Sequence, residues 1–163
     1  MNIRFTRRAL ALVFVLNVTG LCIAGLARAE SNDGNDLTGS WRFSLARTLP
    51  FPQQVLALST FSKEGTFVGT AQGDGICCPA EGAAHGVWTK TGHNTFAVKF
   101  EALWYQSDTS LFGVLIVNMS LTLDEKTGKV TGSFQGAVVD PVTGTAKLPV
   151  AGDLTAQKIR VNP

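Results

Sequence analysis

The sequence predicts an all-β fold, an eight-stranded antiparallel up-and-down barrel, and three observations carry that expectation. Short apolar segments that alternate in period two recur from residue 37 to residue 160, the pattern of half-buried strands. Turn-forming residues separate them, as at Lys63-Glu64-Gly65 and Thr91-Gly92-His93. No stretch beyond the N-terminal segment carries the i, i+3, i+4 spacing of an amphipathic helix. Closure into a barrel removes the edges that a long apolar strand would otherwise expose.

The N-terminal segment has a different character. Arg4, Arg7 and Arg8 form a basic start, residues 9–25 are apolar and uncharged, and Ala27-Arg28-Ala29 fits a small-x-small cleavage site. Residues 1–29 read as an export signal, and the apolar run is short for a bilayer span, which needs about 20 residues. Thr6-Arg7-Arg8 loosely fits a twin-arginine variant of such a signal. Leu21 before Cys22, where a small residue is needed, argues against lipidation. The expected address is periplasmic or secreted, with no membrane span after cleavage.

Removing 29 of the 163 residues leaves 134, enough for one domain with a substantial core. The whole chain carries +2. Four of its 14 basic residues and none of its 12 acidic ones lie in the signal, so ten face twelve in the remainder, a net −2. No Lys/Arg cluster remains, so a nucleic-acid groove is not supported and no nucleic-acid partner is expected. Residues 30–36 form a polar tail, and residues 37–163 a single barrel domain.

The expected strands follow in order. The first, 37–46, sets Trp41, Phe43 and Leu45 on one face. Pro50 and Pro52, which cannot donate ladder bonds, place 47–54 in a loop. The second and third strands, 55–62 and 66–72, make a hairpin, and 73–83 is a long connection. The fourth is 84–90, the fifth 94–106, the sixth 111–123, the seventh 129–140 and the eighth 145–160. The sixth is apolar on both faces, with Phe112, Val114 and Ile116 opposite Leu115, Val117 and Met119. A barrel wall buries only its inner face by itself, so this strand points to a homodimer or homotrimer with the sixth strand near the interface.

Gly39-Ser40-Trp41 on the first strand resembles the Gly-x-Trp signature of the lipocalins and the wider calycin group. In that group a basic residue of the last strand packs across the Trp, and the resemblance assigns that role to Arg160, with Lys158 beside it. Trp41 would then plug one end of the barrel. Glu64-Gly65 and Gly86-Val87-Trp88 are similar in order to the hairpin and second Gly-x-Trp of small exported bacterial barrel proteins. The short meander without a C-terminal helix is also similar to the allene oxide cyclase-like and dirigent-like barrels. An eight-stranded barrel is wide enough to be filled by side chains or to hold one small ligand.

Residues with chemistry are few. Cys77-Cys78 are adjacent, and a vicinal bridge, two buried thiols and an intermolecular bridge stay open as readings. On the fifth strand, Phe96, Phe100 and Trp104 share one face, and Lys99, Glu101 and Tyr105 the other. With the aromatic face inward, Phe96, Phe100 and Trp104, with Trp88 and Asn118, are the candidate ligand contacts. With the face reversed, Glu101 in an apolar cavity would be a general acid or base with Tyr105 as donor. No metal-ligand spacing, dinucleotide fingerprint, P-loop or Ser-His-Asp arrangement is present, so no metal or cofactor is expected. Three functions fit: a cup for a small hydrophobic molecule, a cofactor-free isomerase, cyclase or lyase holding a hydrophobic substrate in one conformation, and a filled barrel that acts through its surface in the envelope. Cavity volume and the orientation of Glu101 discriminate them.

Overall fold

A computed structural model describes residues 36–73 and 80–161. The export segment, residues 30–35 and Cys77-Cys78 lie outside the described residues. Period-two alternation does what it predicts, because each strand buries one row of side chains and exposes the other. The described residues form nine strands and no helix: β1 (Gly39–Leu49), β2 (Gln53–Phe61), β3 (Thr66–Ala71), β4 (Ala80–Glu81), β5 (Ala84–Lys90), β6 (Thr95–Tyr105), β7 (Leu111–Asp124), β8 (Lys129–Val139) and β9 (Ala146–Lys158). Eight of them close a barrel in the order β1-β2-β3-β5-β6-β7-β8-β9, every neighbour antiparallel and β9 returning to β1. The two-residue β4 continues the place of β5 along β6. Glu81 lies opposite Trp104 and His85 opposite Glu101, so four residues on one side span three on the other, the count of a bulge.

Two boundaries differ from the sequence reading. The prolines do not open a loop at residue 47, because Arg47 still pairs with Gln53. Only residues 50–52 turn. The connection at 73–83 is likewise shorter, since Ala80–Glu81 joins the sheet.

The inner rows meet in one core that includes Trp41, Phe43, Phe61, Phe67, Phe96, Phe100 and Phe134. The outer rows are mixed but largely polar, with Arg42, Lys99, Glu101, Asn118, Ser133 and Asp153 exposed. That arrangement, apolar inside and polar outside, is the reverse of a membrane-spanning barrel.

Candidate functional site

The two ends of the barrel are built differently. At the end where β1 begins, three short sequence motifs converge into a stopper. Trp41, 1% exposed, donates from Nε1 to the Leu37 carbonyl at 2.6 Å. Lys158 holds its Nζ 5.6 Å from the Trp41 ring centre. The β2–β3 turn needs a left-handed residue, and Gly65 supplies it at φ 88°. Its carbonyl accepts from the Trp88 backbone N–H at 2.8 Å, and the Ser62 carbonyl accepts from Trp88 Nε1 at 2.9 Å. The first Gly-x-Trp, the Glu-Gly hairpin and the second Gly-x-Trp are therefore neighbours in space. Phe61 meets Trp88 edge-on at 5.9 Å and Phe67 at 5.2 Å, and Phe67 stacks on Phe100 at 5.1 Å. These rings fill the barrel from the stopper to its middle.

The other end is hollow. A cavity of about 80 Å³ lies there, lined on its apolar side chiefly by Phe43, Phe100, Leu115, Val117, Met119 and Val150. Its polar residues are Arg47, Ser59, Thr70, Gln72 and Glu81, and Trp104 also borders it. That is room for about five water molecules, each of which needs roughly 10–15 Å³ on this measure. It is far below the roughly 300–1,000 Å³ of sites for drug-sized ligands. It can take a small molecule, or one end of a longer one.

Each polar group arrives by a local cause. Arg47 continues the inward row Trp41, Phe43, Leu45, and is 6% exposed. Its Nε donates to the Phe51 carbonyl at 3.3 Å and its Nη2 to Gln53 Oε1, which fixes the guanidinium beneath the 50–52 turn. The backbone at Arg47 is crowded by β9: a Cβ on Gly152 would stand 2.3 Å from the Ala46 carbonyl oxygen and 2.8 Å from Arg47 Cα. Only glycine fits opposite Arg47. Trp104 closes the inward row of β6 and is 5% exposed; its Nε1 is buried with no hydrogen-bond partner among the described residues. Such an orphan is uncommon, because an unpaired buried donor costs about 1–3 kcal/mol.

Short turns gather around this end. Asp108 in the β6–β7 turn accepts from the Ser110 hydroxyl at 2.6 Å and the Ser110 N–H at 2.9 Å, and these bonds lower its pKa. Asp140 in the β8–β9 turn accepts from the N–H groups of Thr143 at 3.0 Å and Val142 at 2.9 Å, and pairs with Lys147 at 3.0 Å. The Thr143 N–H first, then Lys147 and Val142, hold its carboxyl well below the usual carboxylate range.

The structure separates the residues singled out from sequence. Phe100 and Trp104 line the cavity. Phe96 and Trp88 belong to the stopper end, their rings 5.9 Å apart. Asn118 is exposed, on the outer row between Lys99 and Gln135. Glu101 is also exposed on the outer row, flanked by His85 and Ile116, because Phe100 and Ala102 take the inward positions beside it. Tyr105 is half-buried beside Ala80, past the cavity end of the inner row. The pairing of a buried Glu101 with Tyr105 is not the arrangement the barrel adopts. The cation over Trp41 is Lys158, which pairs with Trp41 across β1–β9, whereas Arg160 lies beyond the end of β9 and is exposed. Among the described residues, no three His, Cys, Asp or Glu side chains cluster as metal ligands. His93 instead meets Glu125 at 3.0 Å on the surface.

Sequence reasoning missed Arg47, Ser59 and Glu81. Arg47 and Ser59 carried a signal, since both continue inward rows (41-43-45-47 and 55-57-59-61). Glu81 follows a proline-containing connection and carried none. Compared with known proteins, the chain matches no family model and no curated relative.

Proposed function

We propose that this protein is an exported binding barrel that takes a small apolar molecule, or the apolar end of a larger one, into the cavity between Phe100, Leu115 and Arg47. The observation that carries this reading is the asymmetry of the barrel: aromatic rings stopper one end, and the other keeps an apolar hollow with a polar wall. Burial of apolar ligand surface supplies affinity there, and the few polar groups supply orientation. Residues 1–29 support export to the periplasm or outside the cell. Gly39-Ser40-Trp41 with Lys158 across the ring supports kinship with the calycin barrels. An isomerase or cyclase on the same scaffold would have to work by shape alone, since Glu101 and Tyr105 do not face the cavity.

The test is ligand-induced stabilisation. At ten times its dissociation constant, a molecule such as cyclopentane should raise stability by roughly 1.4 kcal/mol, read as a shift in thermal midpoint. Ala57→Leu, which fills the cavity from β2, should abolish that shift while leaving a folded barrel. A panel of small apolar molecules that leaves the wild-type midpoint unmoved would remove the binding reading.

A second reading draws on the outer face. Leu56, Leu58, Val68 and Val87 are 40–63% exposed and run diagonally across β2, β3 and β5. A surface of this kind favours association, with a second copy or an envelope protein.

A further inference from the structure

We infer that the molecule held in the cavity carries an uncharged oxygen, a hydroxyl or carbonyl on an otherwise apolar body, and that the Ser59 hydroxyl is its hydrogen-bond partner. The inference rests on the reading of the cavity as a binding cup. Two polar residues are buried among the described residues, Arg47 and Ser59, each 6% exposed, and both line the hollow. The Arg47 guanidinium is held by the Phe51 carbonyl and by Gln53. The Ser59 hydroxyl has no hydrogen-bond partner among the described residues. Its oxygen is not sealed in as the Trp104 nitrogen is, so a molecule in the hollow can reach it. Most buried polar side-chain atoms are paired. An oxygen entering the cavity pairs this one, and the rest of the ligand meets Phe43, Phe100, Leu115, Val117 and Met119.

The neighbours of Ser59 give its hydroxyl room and set what it can take. Ser59 lies on the inner row of β2, opposite Trp41 on β1 and Gly69 on β3, at the deep end of the hollow. A Cβ on Gly69 would stand 2.8 Å from Ser59 Oγ, so the bare glycine is what leaves the oxygen its place. The same Cβ would stand 3.1 Å from Phe67 Cζ, so an aromatic ring borders the hydroxyl. Alanine at position 59 would complete this apolar floor with no hydroxyl to satisfy. A serine hydroxyl donates one bond and accepts others, so it pairs equally with an alcohol or a ketone. A carboxylate here would give up its water for a single hydrogen bond among apolar groups, which does not offset the burial of a charge.

The test compares wild type with Ser59→Ala, using cyclopentanol, cyclopentane and cyclopentanecarboxylate as probes. Binding is followed by the NMR shifts of the Leu115 and Val117 methyls. Ser59→Ala should weaken cyclopentanol about five-fold, the worth of one net hydrogen bond, and should leave cyclopentane as tight as before or tighter. In the wild-type complex, the carbinol proton of cyclopentanol should show nuclear Overhauser contacts to the Ser59 β-protons. An equal change for alcohol and hydrocarbon in the variant, as when an ordered water keeps the hydroxyl, would overturn this inference and leave the cup standing. Carbinol contacts to Gln72 in place of Ser59 would do the same. Tighter binding of the carboxylate than of the alcohol would overturn the choice of an uncharged oxygen. Methyls that none of the probes moves would overturn the cup and this inference together. If Ser59→Ala does not fold, the contacts in the wild-type complex decide alone.

Discussion

Trp41 shows how one side chain ends a barrel. Its ring is buried, its N–H is satisfied, and a lysine ammonium sits over its face. Replacing it with Ala should cost about 3–5 kcal/mol in chemical denaturation, the usual range for a large aromatic core residue. Lys158→Ala should cost about 0.5–2 kcal/mol through the lost cation–π contact, and Arg160→Ala should leave the denaturation midpoint unchanged. Equal effects of the two would show that the contact contributes nothing. At this scale the identity of Trp41 as a stopper was readable from Gly39-Ser40-Trp41, but the choice between Lys158 and Arg160 was not. Both alternate onto the same face of the eighth expected strand, and only the register Trp41 opposite Lys158 separates them. Arg47 was hidden for a related reason. Pro50 and Pro52 suggested that the strand had already ended, although the row of odd-numbered residues continued through it.

Among the elements, strands were legible and their irregularities were not. Alternation located all eight barrel strands, because each exchanges core and solvent every second residue. It could not show the bulge at 82–83 or the extension of β1 to Leu49. Both depend on what the neighbouring strand offers. Close strand contacts are equally invisible from one segment. Gly152→Ala should destabilise by about 1–3 kcal/mol, as forced overpacking does, because its Cβ would stand 2.3 Å from the Ala46 carbonyl oxygen. A midpoint unchanged from wild type would mean that β1 and β9 separate at no cost.

The β8–β9 turn makes a pH prediction. The Thr143 N–H, Lys147 and the Val142 N–H lower the folded-state pKa of Asp140 below that of the unfolded chain. A depressed carboxylate stabilises the fold at pH values above its ordinary value, about 3.9, and that contribution is lost as pH falls through the folded value. Asp140→Ala should therefore be less stable than wild type at pH 7, with the gap narrowing steadily below about pH 4. A gap that persists unchanged to pH 2 would assign the loss to the turn's neutral hydrogen bonds.

For the whole molecule, closure and inside-outside polarity were legible, and the hollow was not. A cavity is the small difference between barrel volume and the summed volumes of its side chains. One shift of an aromatic ring creates or removes it, so no single residue announces it. Assembly belongs to the same scale. The outer row of β7, with Phe112, Val114 and Ile116, is half-buried within one chain, and the exposed Leu56, Leu58, Val68 and Val87 lie elsewhere on the wall. Light scattering at micromolar concentration should give two or three times the chain mass, and a monomer would contradict the expected association.

Native mass spectrometry of the protein purified gently from its own host tests the central claim most directly, because it reads occupancy of the cavity without assuming the ligand. The account predicts a barrel that retains a small molecule with at least one apolar end, one per chain, released on activation and absent from the Ala57→Leu variant. A wild-type barrel at the bare polypeptide mass, with a thermal midpoint unchanged by saturating cyclopentane, would contradict it.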